Sequence, residues 1–215
     1  MRKQFVIIGL GRFGKSVAKT LYALGHDVLA IDSSETQVQA IAHEVTHAVQ
    51  ADARDEETLK ALGIRNFDVA VVAIGADIES NILITVMLKE LGVKYVVAKA
   101  QSTLHGKVLE RVGADKIVYP EKDMGIRVAH NLVTSNVMDY IELLPDCSIV
   151  EIIAPTKFVN KTLGELNLRA KFGISIMAIK KGDLIIVAPG AEAKIEDGDT
   201  LIILSNNESL AKLPE

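Results

Sequence analysis

Phe5-Val6-Ile7-Ile8-Gly9-Leu10-Gly11-Arg12-Phe13-Gly14-Lys15-Ser16 opens the chain and decides its fold. Four consecutive apolar residues run into three glycines spaced Gly-x-Gly-x-x-Gly, and an amphipathic run with Val17, Leu21 and Leu24 follows until Gly25. Backbone amides approach a phosphate closely only where side chains are absent, and the start of a helix adds favourable potential for an anion. The same letters also read Gly-x-x-x-x-Gly-Lys-Ser, the phosphate loop of many nucleoside triphosphatases, with Lys15 and Ser16 as its working residues. Context favours the dinucleotide reading, which asks for a βαβ unit of about 30 residues with an acid closing its second strand. Gln4 to Asp32 is such a unit: Asp32 follows Val28-Leu29-Ala30-Ile31. A carboxylate there accepts both ribose hydroxyls and repels a 2′-phosphate, which disfavours a NADP-type ligand. In this reading Lys15 lies on the first helix as a surface charge. Arg12, beside the phosphates, either makes bidentate contact to their oxygens or is one more exposed arginine.

Outward from this loop, strand-like runs alternate with helix-like runs as far as Tyr119. The strands read Phe5–Ile8, Val28–Ile31, Ala48–Ala51, Val69–Ile74, Tyr95–Ala98 and Ile117–Tyr119. Several are continuously apolar, as expected of a parallel sheet covered on both faces. The helices read Phe13–Leu24, Gln37–Glu44, Glu56–Leu62, Ser80–Leu91 and Leu104–Val112, and four of them stop at Gly25, Gly63, Gly92 and Gly113. This is an α/β pattern: a Rossmann-type, doubly wound parallel sheet. Glu121 to about Asp139 reads as one long helix carrying Met124, Val128, Leu132 and Val137. Beyond Leu143 the pattern becomes short strands (Cys147–Ala154, Ile174–Ile179, Leu184–Val187, Thr200–Leu204) between glycine turns. We place the boundary near 135–145, with a nucleotide-binding domain at 1–138 and a smaller α+β domain at 139–215. A domain that small gains from pairing with a second copy.

Loops at the carboxyl ends of parallel strands line one crevice. Candidate ligand contacts are therefore Gly9, Gly11, Arg12, Phe13 and Gly14 in the first loop, Asp32, then Asp52 and Ala53, then Ala73, Ile74 and Gly75, with Lys99 ending an otherwise apolar strand. Glu121 opens the last of these loops and is a candidate ligand for a divalent cation beside the phosphates.

Composition removes other classes. The 215 residues are 49% hydrophobic and 24% charged, with net charge −4 and no basic stripe, which argues against nucleic acid as a partner. The single cysteine, Cys147, fits a reducing cytosol, gives the Asn160-Lys161-Thr162 sequon no glycan to carry, and reads as core rather than nucleophile. The run Phe5–Ile8 is too short for a signal sequence, and no apolar stretch reaches the roughly 18 residues of a membrane span. None of the five histidines falls in a catalytic pattern; His43 and His47 have metal-pair spacing, but Val45-Thr46 reads as a helix exit. With no positioned acid or base, a nucleotide sensor is favoured over a consuming enzyme. The alternatives are a small NAD(H)-dependent oxidoreductase or redox sensor, and a phosphate-loop ATPase.

The chain resembles the cytosolic regulatory subunits of bacterial potassium uptake systems of the KtrA and TrkA type, which carry an RCK (regulator of potassium conductance) domain. The resemblance runs nearly the whole length. It rests on the first loop, Val72-Ala73-Ile74-Gly75, Ala98-Lys99-Ala100-Gln101, Val112-Gly113-Ala114-Asp115, Tyr119-Pro120-Glu121-Lys122-Asp123-Met124-Gly125 and Leu168-Arg169-Ala170-Lys171-Phe172-Gly173. It implies that the first domain binds ATP or ADP, and in some relatives NADH, with Glu121 matching the family's divalent-cation ligand and Arg12 reaching a neighbour's nucleotide. It further implies dimers assembled into an octameric ring that docks on a membrane potassium-translocating subunit at the inner face of the cell membrane. The long segment from Glu121 would be the helix that crosses to a partner. The second domain matches a module that in several members binds cyclic di-AMP between two copies, with Leu168, Arg169, Ile174, Ser175, Ile176 and Pro189 lining the site.

Overall fold

The computed structural model describes residues 2–133, 137–144, 146–210 and 212–213. Contacts divide the chain into two compact units, Met1–Glu121 and Lys122–Glu215. In the first, β1 (Gln4–Ile8), β2 (Asp27–Asp32), β3 (His47–Gln50), β4 (Val69–Val72), β5 (Tyr95–Lys99) and β6 (Lys116–Val118) form one sheet in the order β3-β2-β1-β4-β5-β6. Every adjacent pair in it is parallel. The order reverses direction between β1 and β4, so the loops leaving these two strands diverge and open a crevice. Helices α1 (Arg12–Ala23), α2 (Glu35–Gln39), α3 (Glu56–Ala61), α4 (Ile78–Glu90) and α5 (Thr103–Arg111) make the crossovers.

The apolar runs that mark the strands are explained by burial on both faces. On β1, Val6 and Ile8 join Leu29, Ile31, Ala70 and Val72 in one core, packed with Ile84 and Leu88 of α4. Ile7, between them, joins Val28, Ala30 and Val71 in the other, with Ala18 of α1 and Val38 of α2. Successive side chains of a strand point to opposite faces, so a sheet with two cores needs an unbroken apolar sequence. The glycine stops are equally physical: Gly25, Gly63, Gly92 and Gly113 have φ of +84°, +67°, +85° and +103°, the left-handed conformation that ends a helix.

Several boundaries differ from the sequence reading. Helix α2 runs Glu35–Gln39 rather than Gln37–Glu44; the chain then turns, while Ile41 and Val45 still reach the core. Strand β4 stops at Val72 because Ala73-Ile74-Gly75 leave the sheet to wall the crevice. His47 stands in β3 and His43 in the turn before it, so the two share no helix. The expected helix from Glu121 to about Asp139 is α6 (Pro120–Val133), and strand β7 occupies Val137–Leu144. Residues 134–136, within that expected helix and at the start of the expected boundary region, lie outside the described residues. The division at Glu121/Lys122 falls inside α6 and places all of it beyond Glu121 with the second unit, where the sequence reading placed the boundary at 138/139.

In the second unit, β7, β8 (Cys147–Ile153), β9 (Ser175–Lys181), β10 (Leu184–Val187) and β11 (Thr200–Ser205) form an antiparallel sheet in the order β10-β9-β11-β8-β7. Short helices α7 (Leu163–Leu166), α8 (Leu168–Phe172) and α9 (Asn207–Leu210) complete an α+β unit. The first two were not evident from the sequence. Thr162 caps α7 in a reciprocal capping box with Glu165. Val150, Ile152, Leu168, Ile179, Leu201 and Ile203 form the centre of its core, and Cys147 is half-buried at the start of β8.

Gly14 is closed in by backbone. A Cβ there would collide with the carbonyl oxygen of Gly9 and come 3.1 Å from Cβ of Ala73. Gly125, exposed in α6, meets nothing within 4 Å. Gly14→Ala is therefore expected to cost about 1–3 kcal/mol of stability, since backbone must move to admit the methyl. Gly125→Ala is expected to gain about 0.5–1 kcal/mol from helix propensity. Urea unfolding of the two variants against the parent measures both.

Candidate functional site

At the carboxyl ends of β1 to β4 lies a cavity of about 430 Å³. Gly9, Gly11, Asp32, Asp52, Ala53, Ala73, Ile74 and Gly75 line it, so the structure brings together eight of the sequence-derived nucleotide residues. Gly9 (φ +93°) turns the chain out of β1, and its amide donates to the Ile31 carbonyl at 2.9 Å. Asp32 binds this loop from the side: the Leu10 amide donates to Oδ2 at 2.6 Å and the Ser34 amide to Oδ1 at 2.8 Å. Each carboxylate oxygen has two lone pairs and accepts one of these bonds, so both keep capacity for a ligand hydroxyl.

Helix termini determine where an anion sits. Asp55 caps α3 through the Glu57 amide, Asp77 caps α4 through the Ser80 amide, and Ser102 caps α5 through the His105 amide. Gly11 caps α1 with no side-chain bond, and the first turn of α1 has no acidic residue. A Cβ on Gly11 would meet nothing within 4 Å. Of the helices α1 to α5, α1 alone has neither a side-chain cap bond nor an acidic residue in its first turn, so its amides and positive potential are the least compensated and the most available to a phosphate.

The other predicted residues stand beside the cavity rather than in its wall. Gly14 supports the loop from below, and Arg12 is exposed at the first position of α1. Lys99, buried at the end of β5, donates through Nζ to Glu121 Oε1 at 2.6 Å and lies 5.9 Å from the centroid of the Phe13 ring. Its Nζ is also 3.1 Å from where a Cβ of Gly75 would be, so this pair adjoins the cavity rim. The Lys99 hydrogen bond, aided by the charges of Lys99 and Arg12, holds the Glu121 carboxyl below its usual range. Glu121 is thus engaged by an ammonium. Asn81, fully buried, ties the two walls by donating through Nδ2 to the carbonyls of Ile74 (2.6 Å) and Lys99 (3.0 Å).

Asp77, in the loop Gly75-Ala76-Asp77 that topology assigns to the crevice, also lines it, whereas Ser33, Arg54, Ser80 and Ile84 were missed as lining residues. Arg54 follows Asp52-Ala53 directly, and extending each loop by one or two residues would have found it. It grips Asp52 with Nε on Oδ1 at 2.9 Å and Nη2 on Oδ2 at 2.7 Å. Through these bonds and the Arg54 amide, the Asp52 carboxyl is held at about 2.

In the second unit, Leu168, Arg169, Ile174, Ser175, Ile176 and Pro189 line one cavity of about 440 Å³, together with Leu163, Gly164, Asn167 and Ala191.

Loop, acid and sheet order define a Rossmann-type nucleotide-binding unit joined to a smaller α+β unit. The TrkA-N domain matches residues 5–120 and the TrkA-C domain residues 147–215. The Ktr system potassium uptake protein C of Bacillus subtilis (strain 168) is 48% identical over 212 residues, covering 99% of this chain and 96% of that one. Protein A of the same system is 47% identical over 210 residues (98% and 95%), and its Vibrio alginolyticus counterpart 39% over 209 (97% and 95%). Among solved structures, the GsuK RCK domain superposes with TM-score 0.67 at 18% identity, covering 98% of this chain and 46% of that one. The TrkA-N domain of Escherichia coli ybaL superposes with TM-score 0.55 at 18% identity, covering 62% and 98%. The chain belongs to the family of Ktr- and TrkA-type potassium uptake regulatory proteins, built from a TrkA-N and a TrkA-C domain.

The Lys99–Glu121 pair has a pH signature. The folded-state pKa of Glu121 is depressed, so its stabilisation is present above the ordinary glutamate pKa and is lost as pH falls through the lower folded value. The urea midpoints of the parent and Glu121→Gln should differ at pH 7, with the parent the more stable, and converge as pH drops below the glutamate range. A difference that persists unchanged into acid would show the pair contributes nothing.

Proposed function

We propose that this chain is a cytosolic, nucleotide-sensing regulatory subunit of a membrane potassium uptake system, acting by binding and not by turnover. The observation that carries this reading is the cavity in which one uncapped helix start and one ribose-type carboxylate, Asp32, face the same space. ATP or ADP is the assigned ligand, and NADH the competing occupant. The phosphates would lie over Gly9, Gly11 and Gly14 against α1, the ribose on Asp32, and the base toward Asp52 and Ala53. A 2′-phosphate would meet the charge of Asp32, which argues against NADPH. The third phosphate of ATP would fall toward Arg12 and Lys99, and Glu121 would take a divalent cation there after exchanging its present partner.

Gating follows from population shift. A ligand moves a protein between two shapes only through its differential affinity for them. Arg12, exposed at the rim, is the group we assign to sensing the phosphate that distinguishes ATP from ADP, and coupling of about 1–3 kcal/mol per site is the usual scale. Membership beside the Ktr potassium uptake proteins supports the target: a membrane potassium-translocating subunit, reached by dimers assembled into an octameric ring at the inner face of the membrane. Among the described residues no helix is long and apolar enough to cross a membrane. Helix α6 leaves Met124, Val128 and Leu132 exposed at 53%, 48% and 81%, which supports its proposed role as the element that crosses to a partner. Cyclic di-AMP is the proposed ligand of the second cavity, with Arg169 on its phosphate and a second copy completing the site.

Calorimetry with ADP, ATP (with and without Mg²⁺), NADH and NADPH tests this reading. We expect binding of ADP and ATP, a Mg²⁺ effect confined to ATP, and no NADPH binding. Asp32→Ala should weaken every nucleotide by about tenfold or more, as loss of a charged hydrogen-bond acceptor does. Arg12→Ala should weaken ATP more than ADP. Tight NADH binding with indifference to ATP, or unchanged affinity in both variants, overturns the assignment.

A further inference from the structure

The cavity of the first unit ends, on the β3 side, in a cluster that nucleotide phosphates do not explain. Asp52 and Arg54 both line it there, and Asp77, on the loop that precedes α4, lines the same cavity near enough to Arg54 for their charges to attract. We infer that Arg54 is a specificity-determining positioning residue: it locks the Asp52 carboxylate as a pure hydrogen-bond acceptor and so selects a 6-amino purine over a 6-oxo purine. The inference deepens the nucleotide reading above and rests on it.

Position comes first. The uncapped start of α1 marks the phosphate end, and Asp32 on β2 marks the ribose. The sheet order continues from β2 to β3, whose exit loop carries Asp52, so the base of a nucleotide laid along these markers reaches Asp52.

The hydrogen-bond inventory comes second. Asp52 Oδ1 accepts the Arg54 amide at 3.0 Å and Arg54 Nε at 2.9 Å, which fills it. Oδ2 accepts Arg54 Nη2 at 2.7 Å and shares Nε at 3.2 Å. The Nε proton is already committed to Oδ1, so Oδ2 retains room for one further donor. Each of these four bonds comes from Arg54, so the rotamer of Asp52 is set by that one residue. A guanidinium is a rigid fork that cannot lose its proton, so the carboxylate it holds bidentately presents a fixed oxygen. The carboxyl sits at about 2 and carries no proton near neutrality. An ionised Oδ2 accepts from an exocyclic amine and is repelled by a carbonyl oxygen. Asp77 is close enough for its charge and that of Arg54 to attract. Asp52 and Asp77 together outweigh the single charge of Arg54, and that balance further disfavours a carbonyl edge.

The test compares ADP, by calorimetry on the full chain, with inosine diphosphate, which carries a 6-oxo group and an N1–H where adenine has a 6-amino group and a bare N1. A carboxylate held in place by Arg54 cannot turn from the exocyclic position to that N1–H, and one released from Arg54 can. The parent should prefer ADP by about tenfold, because a 6-oxo group set against the held carboxylate loses the hydrogen bond and faces a like partial charge. Arg54→Ala should lose about tenfold in ADP affinity and bring the two diphosphates within about threefold of each other. Asp52→Asn, which offers a donor, should narrow or reverse the preference. Thermal melting of each variant establishes that it is folded. Arg54→Ala that keeps the parental ratio overturns the inference while leaving the nucleotide site standing, and so does a parent that binds both diphosphates equally. A parent that binds neither overturns the nucleotide reading itself, and this inference with it.

Discussion

Asp32 joins the first two loops of the sheet. Its carboxylate takes the amide of Leu10 from the glycine loop on one oxygen and that of Ser34, the residue preceding α2, on the other. The glycine loop has no side chains with which to fix itself, and Gly11 makes no side-chain cap. Its conformation is imposed from outside, by this acid on one flank and by the contact of Gly14 with the Gly9 carbonyl beneath. Everything proposed for the site depends on that shape, because the unsatisfied amides of α1 converge only if the loop approaches them in one way. The residue assigned to the ribose is thus also the residue that organises the seat of the phosphate, and its substitution acts on both.

The first unit was legible in the sequence for an identifiable reason. A parallel sheet with two cores demands apolar residues at consecutive positions, and Val6, Ile7 and Ile8 show this directly: the outer two face one core and the middle one the other. Glycines at the helix ends supplied the punctuation, since each has a positive φ that the chain needs there. Strand β7 gave no such signal. Val137-Met138-Asp139-Tyr140-Ile141-Glu142-Leu143-Leu144 follows Met124, Val128 and Leu132, and its apolar positions continue a helical period as readily as they begin an alternating one. The α2 boundary failed differently. Ile41 and Val45 are spaced as on a helix and buried as on a helix, yet they are carried by turns.

In the candidate site, the backbone contributions were legible and the side-chain partnerships were not. Loop residues after β1, β3 and β4 could be placed by topology alone. Lys99 and Glu121 were each placed near the phosphates, but as separate groups. Their union at 2.6 Å depends on how the end of β5 meets the start of α6, twenty-two positions on, and nothing in the local sequence encodes that distance. Arg54 was missed because its role is indirect: it acts on Asp52, and a search for ligand contacts passes over the residue that orients a contact.

The capping pattern has a broader implication. A parallel sheet necessarily aims several helix starts at one rim, and each would attract any passing anion equally. In this chain Asp55, Asp77 and Ser102 occupy theirs from within. Helix α2 has no such cap but carries Glu35 in its first turn, so ligand location is written by subtraction: the protein's own side chains compensate the equivalent seats, and α1 is left with neither a cap nor an acid. Acidic residues at helix starts, usually counted as local stabilisers, here also act at a distance as address labels. Relocating a ligand on such a scaffold is then a matter of moving a cap rather than building a pocket.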